Sequence, residues 1–179
     1  MKRIIVTGAN KGIGLGIVRR LLSEYDETFL ILAARSLERA EQSASLLLDE
    51  NKAWKNRLIT LKLDVELDDS VAEASEKICS VFDGISKPIH CLINNAGVGD
   101  SYLSMQRVLD VNTWGVKRVC EAFLPLISKK QGRIVNVTSA SGPNFVAKCE
   151  ASFRYILTNP NVTWPEIEVL MYELSLIHI

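Results

Sequence analysis

Short apolar runs and helix-spaced apolar positions alternate along the chain. An apolar, β-branched run predicts a buried strand, and apolar residues repeated every three or four positions predict a helix with one buried face. The alternation of the two patterns predicts a single α/β domain, in which a parallel sheet carries helices on both faces. The predicted strands are Ile4–Val6, Thr28–Ala34, Arg57–Leu63, Cys91–Ile93 and Arg133–Ser139.

Several predicted helices begin at recognisable signals. Ser36 is a candidate N-cap for the second helix, and Asp68-Asp69-Ser70 places acidic residues at the start of the third. Apolar positions from Met105 to Ile127 predict one long fourth helix. Thr163 and Glu166 form a capping box, which predicts a further helix that contains Ile167, Leu170, Met171 and Leu174.

Three glycines follow the first strand at a spacing that suits a dinucleotide. Gly8 permits a tight turn, Gly12 lets backbone approach a pyrophosphate, and Gly14 lets the next helix pack close to the strand. The start of that helix then directs N–H groups and the positive end of its dipole at the phosphates. Taken alone, the same glycines also fit an ordinary turn between a strand and a helix.

The residues around these glycines carry a family resemblance. The segment Thr7-Gly8-Ala9-Asn10-Lys11-Gly12-Ile13-Gly14-Leu15 resembles the cofactor fingerprint of the short-chain dehydrogenase/reductase family, and with Ile17-Val18-Arg19 it is similar to the carbonyl reductases of that family. The resemblance implies a Rossmann-type doubly wound parallel sheet with strand order 3-2-1-4-5, whose later strands are missing from this chain. It also implies NADPH-dependent hydride transfer to a small-molecule carbonyl substrate, which would be an aldehyde, a ketone or a quinone.

Composition narrows the alternatives. The 179 residues are 47% hydrophobic and 23% charged with a formal net charge of +0, which indicates neither a nucleic-acid nor a membrane partner. Four scattered cysteines and two histidines predict no disulfide framework and no metal site. Met1-Lys2-Arg3 leads directly into a strand without the features of a signal peptide, so we expect a cytoplasmic protein.

Charge at the end of the second predicted strand indicates which dinucleotide binds. An NAD site needs a carboxylate there to accept hydrogen bonds from the ribose 2′-OH, but the strand ends at Ala34 and Arg35 follows. Arg35 instead suits the 2′-phosphate of NADP, and Lys11 in the glycine turn approaches the same position. Arg39, one helical turn later, is a weaker candidate. Each of these three cations also fits a solvated surface position.

The resemblance assigns the rest of the cofactor site. Asp64 and the backbone of Val65 would receive the adenine, and Asn94-Asn95-Ala96-Gly97 matches the family motif that lines the middle of the cofactor. Within that motif we expect Asn95 to contact the cofactor and Asn94 to be structural. The predicted cofactor-binding residues are therefore Gly8, Asn10, Lys11, Gly12, Ile13, Gly14, Arg35, Arg39, Asp64, Val65, Asn95, Ala96 and Gly97.

Ser139 and Asn112 are the catalytic residues that the resemblance implies. In the family they act with a tyrosine that donates the proton and a lysine that lowers the pKa of that tyrosine, while the asparagine holds a water that relays protons to the lysine. Neither tyrosine after Ser139 fits the motif Tyr-x-x-x-Lys, because Tyr155 is followed by Asn159 and Tyr172 by Leu176. A turn residue at 139 and a polar helix face at 112 are the structural alternatives.

The C-terminal part of the chain changes what can be expected of the protein. Residues 143–174 resemble an insertion of carbonyl reductases that covers the surface through which dimeric relatives associate, which implies a monomer for the full-length protein. The chain then ends on an apolar segment, Leu174–Ile179, so we expect the natural sequence to diverge or continue near Glu173. We thus expect residues 1–179 to form one NADP-binding domain that is incomplete at its C-terminus. We also expect the open edge of the fifth strand to make this chain aggregation-prone or dimeric.

Three hypotheses remain at this point. The chain is the cofactor half of a reductase, an NADP-binding or sensing protein without the chemistry, or a fragment that is inactive as it stands. The presence of Ser139 and Asn112 favours the first hypothesis over the second, whereas the missing Tyr-x-x-x-Lys pair favours the other two. We expect the chain as given to be inactive.

Overall fold

Five parallel strands form one sheet in the order β3-β2-β1-β4-β5, as predicted. The computed structural model describes residues 1–99 and 103–176, without the side chains of residues 174–176. Because the chain crosses from β3 back to β4 on the far side of β1, the carboxyl ends of β1 and β4 lie side by side. The strands are β1 (Lys2–Val6), β2 (Thr28–Ala34), β3 (Leu58–Lys62), β4 (Cys91–Asn94) and β5 (Arg133–Asn136).

Helices cover both faces of this sheet and create two hydrophobic layers. On β1, Ile4 and Val6 point into one layer with α1 and α2, and Ile5 points into the other with α3 and α5. This division follows from the alternation of side chains along a strand. The helices are α1 (Gly12–Glu24), α2 (Leu37–Glu50), α3 (Asp68–Val81), α4 (Met105–Leu109), α5 (Gly115–Phe123), α6 (Ser141–Lys148), α7 (Ala151–Thr158) and α8 (Trp164–Leu176).

The long fourth helix predicted over Met105–Ile127 is interrupted. A π-helical turn spans Asp110–Trp114 between α4 and α5, with the N–H of Gly115 donating to the carbonyl of Asp110. A 3-10 turn at Leu124–Leu126 then ends the helical stretch. Apolar spacing does not reveal the π turn, because it adds only one residue to the helical period.

The fifth strand is shorter than predicted and is exposed. It ends at Asn136 instead of Ser139, because its last partner is Asn94 and β4 ends there. All four residues of β5 are exposed, and Ile134 and Val135 retain 39% and 45% of their accessible surface. Within the described residues no strand pairs with the outer edge of β5.

The segment that resembles an insertion is helical, which the sequence predicted only for its last part. Helices α6 and α7 were not predicted and have no buried residue. Helix α8 begins at the predicted capping box. There the Glu166 carboxylate accepts hydrogen bonds from the N–H and the hydroxyl of Thr163, each at 2.7 Å. Leu170 and Met171 of α8 are buried. The apolar end of the chain lies outside the described residues from residue 177 onward, and the described helices include none long and apolar enough to cross a membrane.

Candidate active site

A cleft of about 380 Å³ opens at the carboxyl ends of β1, β2, β3 and β4. Its walls are the glycine turn after β1, Arg35 after β2, the loop after β3 and the loop after β4. Twelve of the thirteen predicted cofactor residues line it, and the exception is Arg39. The lining residues are Gly8, Asn10, Lys11, Gly12, Ile13, Gly14, Arg35, Asp64, Val65, Asn95, Ala96 and Gly97, together with Leu63, Glu66, Val98 and Val111, which the sequence did not suggest.

Two glycines of the turn have no room for a side chain. Gly8 has a positive φ of 63°, and a Cβ there would lie 2.8 Å from the Cα of Ala96. A Cβ on Gly14 would lie 2.5 Å from the amide nitrogen of Asn95 and 2.6 Å from the carbonyl oxygen of Gly8. This geometry agrees with the predicted roles of Gly8 in the turn and of Gly14 in close packing.

The first turn of α1 is suited to an anion. Lys11 is its N-cap and provides no side-chain hydrogen bond, whereas α2 is capped by Ser36, whose hydroxyl accepts from the N–H of Arg39. The first turn of α1 also contains no acidic residue. Because the first N–H groups of a helix lack partners within the helix, an uncapped N-terminus that faces a cleft is available to phosphate oxygens. The residues present therefore fit a dinucleotide pyrophosphate.

Thr7 and Asn95 hold the glycine turn against the loop after β4. The buried hydroxyl of Thr7 accepts hydrogen bonds from the N–H groups of Asn95 at 3.0 Å and Ala96 at 2.9 Å. In return, the side-chain amide of Asn95 donates to the carbonyl oxygens of Thr7 at 2.9 Å and Gly8 at 3.3 Å. The Asn95 amide nitrogen thus shapes the cleft by holding its backbone, and the predicted contact of Asn95 with the cofactor stays a prediction.

Asn94 has the structural position predicted for it. Its side chain is buried and donates to the side-chain oxygen of Asn136 on β5 at 2.9 Å and to the sulfur of Cys120 on α5 at 3.2 Å. It therefore connects the central sheet to the strand that leads to Ser139.

The three predicted phosphate-binding cations differ in position. Lys11 and Arg35 are exposed and line the cleft, and neither has an ion-pair partner within the described ranges. Arg39 is also exposed, but its side chain lies outside the cleft lining. The structure therefore separates Arg39 from the pair formed by Lys11 and Arg35.

The loop after β3 is held by residues that the sequence did not indicate. The N–H of Asp64 donates to the buried hydroxyl of Ser70 at 3.0 Å, and the Asp64 carboxylate accepts from the N–H of Glu66 at 3.1 Å. From α5, the guanidinium of Arg118 donates to the carbonyl of Val65 at 2.7 Å and pairs with Asp68.

Gly115 allows α5 to approach this loop, since a Cβ there would lie 2.9 Å from a methyl carbon of Val65. These contacts fix the backbone predicted to receive the adenine. The contacts of Arg118 and Gly115 with Val65 join residues far apart in the chain, so local sequence patterns do not reveal them.

The two predicted catalytic residues lie outside the cleft lining. Asn112 is in the π turn, and its amide makes two hydrogen bonds to the backbone of Val98, donating to the carbonyl at 2.8 Å and accepting from the N–H at 2.9 Å. The hydroxyl of Ser139 is exposed, 3.1 Å from the hydroxyl of Ser141, and accepts from the N–H of Ser141 at 3.1 Å. Both side chains thus have local partners, and their predicted catalytic roles remain predictions.

The family can be stated from comparison with known proteins. The family model described as short chain dehydrogenase matches residues 2–151, which is most of the chain and includes the whole cleft. The chain therefore belongs to the short-chain dehydrogenase family. This is a family of oxidoreductases that use NAD or NADP.

Among curated relatives, the chain is 35% identical to the mitochondrial D-beta-hydroxybutyrate dehydrogenase of Bos taurus over 148 residues, which is 79% of this chain and 42% of the relative. It is 29% identical to carbonyl reductase (NADPH) 1 of Mus musculus over 174 residues, or 93% of this chain and 59% of the relative. The chain thus spans about half the length of the curated relatives that it matches.

Solved structures agree on the fold. The menthone neomenthol reductase from Mentha piperita matches this chain with a TM-score of 0.80 at 23% sequence identity. The match covers 97% of this chain and 72% of the reductase, and at this identity it shows a common fold only. An alcohol dehydrogenase from Thermococcus sibiricus, complexed with 5-hydroxy-NADP, has a TM-score of 0.66 at 31% identity over 84% of this chain and 61% of that one.

Proposed function

We propose that this chain provides the cofactor site of an NADPH-dependent reductase that acts on carbonyl compounds such as aldehydes, ketones or quinones. The observation that carries the proposal is Arg35, which lines the cleft directly after β2. At this position an NAD-selective protein requires a carboxylate for the ribose 2′-OH. A guanidinium forms two parallel hydrogen bonds to a phosphate, and Lys11 adds a second positive charge to the same cleft.

Relatives support the proposal. The similarity to carbonyl reductase (NADPH) 1 of Mus musculus covers 93% of this chain. It therefore includes residues beyond those that the family model matches. The Thermococcus sibiricus alcohol dehydrogenase carries an NADP derivative. The bovine dehydrogenase has the higher identity but matches less of this chain, so the similarity over the C-terminal part favours the carbonyl reductases.

In this proposal the residues of the chain bind and orient. The uncapped start of α1 and Gly12 hold the pyrophosphate, and the Asp64–Val65 loop receives the adenine. NADPH supplies the hydride for a carbonyl carbon when it is bound. Ser139 is assigned a hydrogen bond to the carbonyl oxygen, where negative charge develops during reduction. No residue of this chain is assigned the proton donor.

A second candidate is an NADP-binding protein without reductase chemistry. The observation that favours it is that Asn112 and Ser139 both have structural partners, Val98 and Ser141, which account for their presence without catalysis. Turnover of the full-length protein distinguishes the two candidates. A reductase loses turnover when Ser139 is replaced by alanine but still binds NADPH, whereas a binding protein has no turnover to lose.

The binding constants of NADPH and NADH for this chain test the proposal. We expect tighter binding of NADPH, and we expect Arg35→Asp to weaken NADPH binding by about 10- to 100-fold, the range for a lost charge-assisted hydrogen bond. Binding of NADH should change far less. Lys55→Asp is the matched control, because it makes the same charge change at an exposed position outside the cleft. If the ratio of NADPH to NADH affinity were the same for the wild type and Arg35→Asp, the assignment of Arg35 to the 2′-phosphate would be refuted.

A further inference from the structure

Ser43 of α2 connects that helix to the glycine turn. Its side chain is buried, with 7% of its surface accessible, and its hydroxyl oxygen lies 2.6 Å from the carbonyl oxygen of Asn10. The same hydroxyl lies 2.9 Å from the carbonyl of Arg39, four residues earlier in the helix. Asn10 directly precedes Lys11, and both line the cleft.

The shorter of these two contacts is the hydrogen bond that defines the role of Ser43. A serine hydroxyl has one proton, and the Arg39 carbonyl is the acceptor that any helical serine can reach in its own helix. Two oxygens do not lie 2.6 Å apart without a proton between them, so the proton of Ser43 is directed at the carbonyl of Asn10. The Ser43 hydroxyl therefore restrains the glycine turn from outside the cleft.

This contact sets the relative position of the two cations. Arg35 stands between β2 and α2, so the start of α2 determines where its backbone lies. The N–H of Ala9 donates to the carbonyl of Ala33 at 3.0 Å, which fixes the beginning of the glycine turn against β2. The bond from Ser43 to Asn10 then fixes the next part of the turn against α2. The backbone of Lys11 is thereby held at a defined position relative to that of Arg35.

We propose that Ser43 is a positioning residue that determines specificity for the phosphorylated ribose, although it does not touch the cofactor. This inference rests on the proposed function, because it requires that Lys11 and Arg35 together bind a 2′-phosphate. Ser43 acts through the backbone of Asn10, so its loss displaces Lys11 relative to Arg35. Binding of a ribose without the 2′-phosphate does not depend on that displacement.

The test compares NADPH and NADH binding to the whole chain and its variants. Ser43→Ala should weaken NADPH binding by roughly three- to tenfold, the range for one lost hydrogen bond, and should change NADH binding by less than about twofold. Ser43→Thr keeps the hydroxyl and should restore most of the NADPH affinity. Ser45→Ala is the control, because Ser45 is exposed on the same helix and lies outside the cleft, and it should change neither constant.

A double-mutant cycle with Lys11→Ala separates this role from a general structural one. If Ser43 acts through Lys11, adding Ser43→Ala to Lys11→Ala should weaken NADPH binding no further. Three results would overturn the inference and leave the proposed function intact. Ser43→Ala could weaken NADPH and NADH binding equally, it could weaken neither, or its effect on NADPH binding could be fully additive with that of Lys11→Ala. A wild-type chain that does not prefer NADPH would instead overturn the proposed function itself. Thermal unfolding of each variant is the control that checks whether the fold is retained.

Discussion

The cofactor cleft and the segment around Ser139 follow strands of the same sheet but are held in different ways. The loops of the cleft are fixed by side chains buried in the domain, such as Thr7, Ser43 and Ser70. Ser139 follows a strand whose four residues are all exposed, and among the described residues its hydroxyl is hydrogen-bonded only to Ser141.

This difference shows that the shape of the cleft depends on the core, whereas the position of Ser139 depends on local turns. Loss of the hydrogen bonds between Thr7 and the loop after β4 should affect folding and cofactor binding together. Changes near Ser139 should leave both almost unaltered in this chain. The predictions below test this contrast, beginning with the largest expected effect.

Matched isoleucines on β1 and β5 give the largest contrast in stability. Ile5 is fully buried in β1, so Ile5→Ala should lower the free energy of unfolding by about 2–5 kcal/mol, through lost burial and the cavity that remains. Ile134 on β5 is 39% exposed, so Ile134→Ala should cost about 1 kcal/mol or less. Urea unfolding of the two variants measures both values. Equal losses would show that β5 is covered in solution.

The hydroxyl of Thr7 tests the network directly. Thr7→Val keeps the shape of the side chain but leaves the N–H groups of Asn95 and Ala96 without their acceptor. We expect a loss of about 1–3 kcal/mol of stability, together with weaker NADPH binding. Thr7→Ser retains the oxygen and should behave like the wild type.

Ser139→Ala provides the comparison from the other region, and it should change neither the stability nor the NADPH affinity of this chain measurably. If Ser139→Ala weakened NADPH binding as much as Thr7→Val, the two regions would not be independent.

Two glycines of α1 test how tightly the cleft is packed. A Cβ on Gly14 meets the Asn95 amide and the Gly8 carbonyl, so Gly14→Ala should cost about 1–3 kcal/mol and weaken binding of both dinucleotides. A Cβ on Gly16 meets nothing within 4 Å, so Gly16→Ala should raise stability by about 0.5–1 kcal/mol through helix propensity. The two stabilities are compared by thermal unfolding. If the unfolding midpoints of Gly14→Ala and Gly16→Ala shifted in the same direction, the difference in packing between the two positions would be contradicted.

The smallest effect is expected at the capping box of α8. Hydrogen bonds from the hydroxyl and the N–H of Thr163 lower the pKa of Glu166 below its ordinary value of 4.5. A lowered pKa means that the carboxylate contributes stability above the ordinary pKa and loses it as the pH falls through the pKa of the folded state.

The midpoint of thermal unfolding should therefore be lower for Glu166→Gln than for the wild type at neutral pH. The difference should shrink as the pH falls below 4.5 and should vanish once the pH is below the lowered pKa of the folded state. Glu173→Gln, on the same helix and outside the cap, is the charge-matched control. A difference that persisted unchanged in acid would rule out the carboxylate as its source.

The sequence predicts the strand order and most of the cleft because these features leave local marks. Buried parallel strands are continuous apolar runs, and a turn that touches other backbone, such as the one at Gly8 and Gly14, requires glycine. The supports of the cleft leave no such marks. Ser43 and Arg118 are common residues that act through contacts with backbone far along the chain, and Ser70 acts on the loop six residues before it.

The predicted length of the fifth strand was wrong for an identifiable reason. The strand prediction for residues 137–139 followed their apolar and β-branched character, but β4 offers no partner beyond Asn94. For the strand, the deciding factor is the length of the neighbouring β4, which the local sequence of β5 does not contain. Arg39, which helical spacing after Arg35 suggests, lies outside the cleft lining, and its contact with the phosphate stays a prediction.

The π turn at Asp110–Trp114 has a consequence for how insertions and deletions are tolerated. The helical stretch around it reaches both ends of the cleft, through Asn112 at Val98 and through Gly115 and Arg118 at Val65. Because the π turn absorbs one extra residue, deleting one residue from it would restore the α-helical period with little rotation of the two halves, whereas deleting one residue from α5 before Arg118 would rotate the rest of that helix by about 100°. In the second case only the contact at Val98 would remain, so the position of a deletion in this stretch decides whether the cofactor site keeps both of its loops.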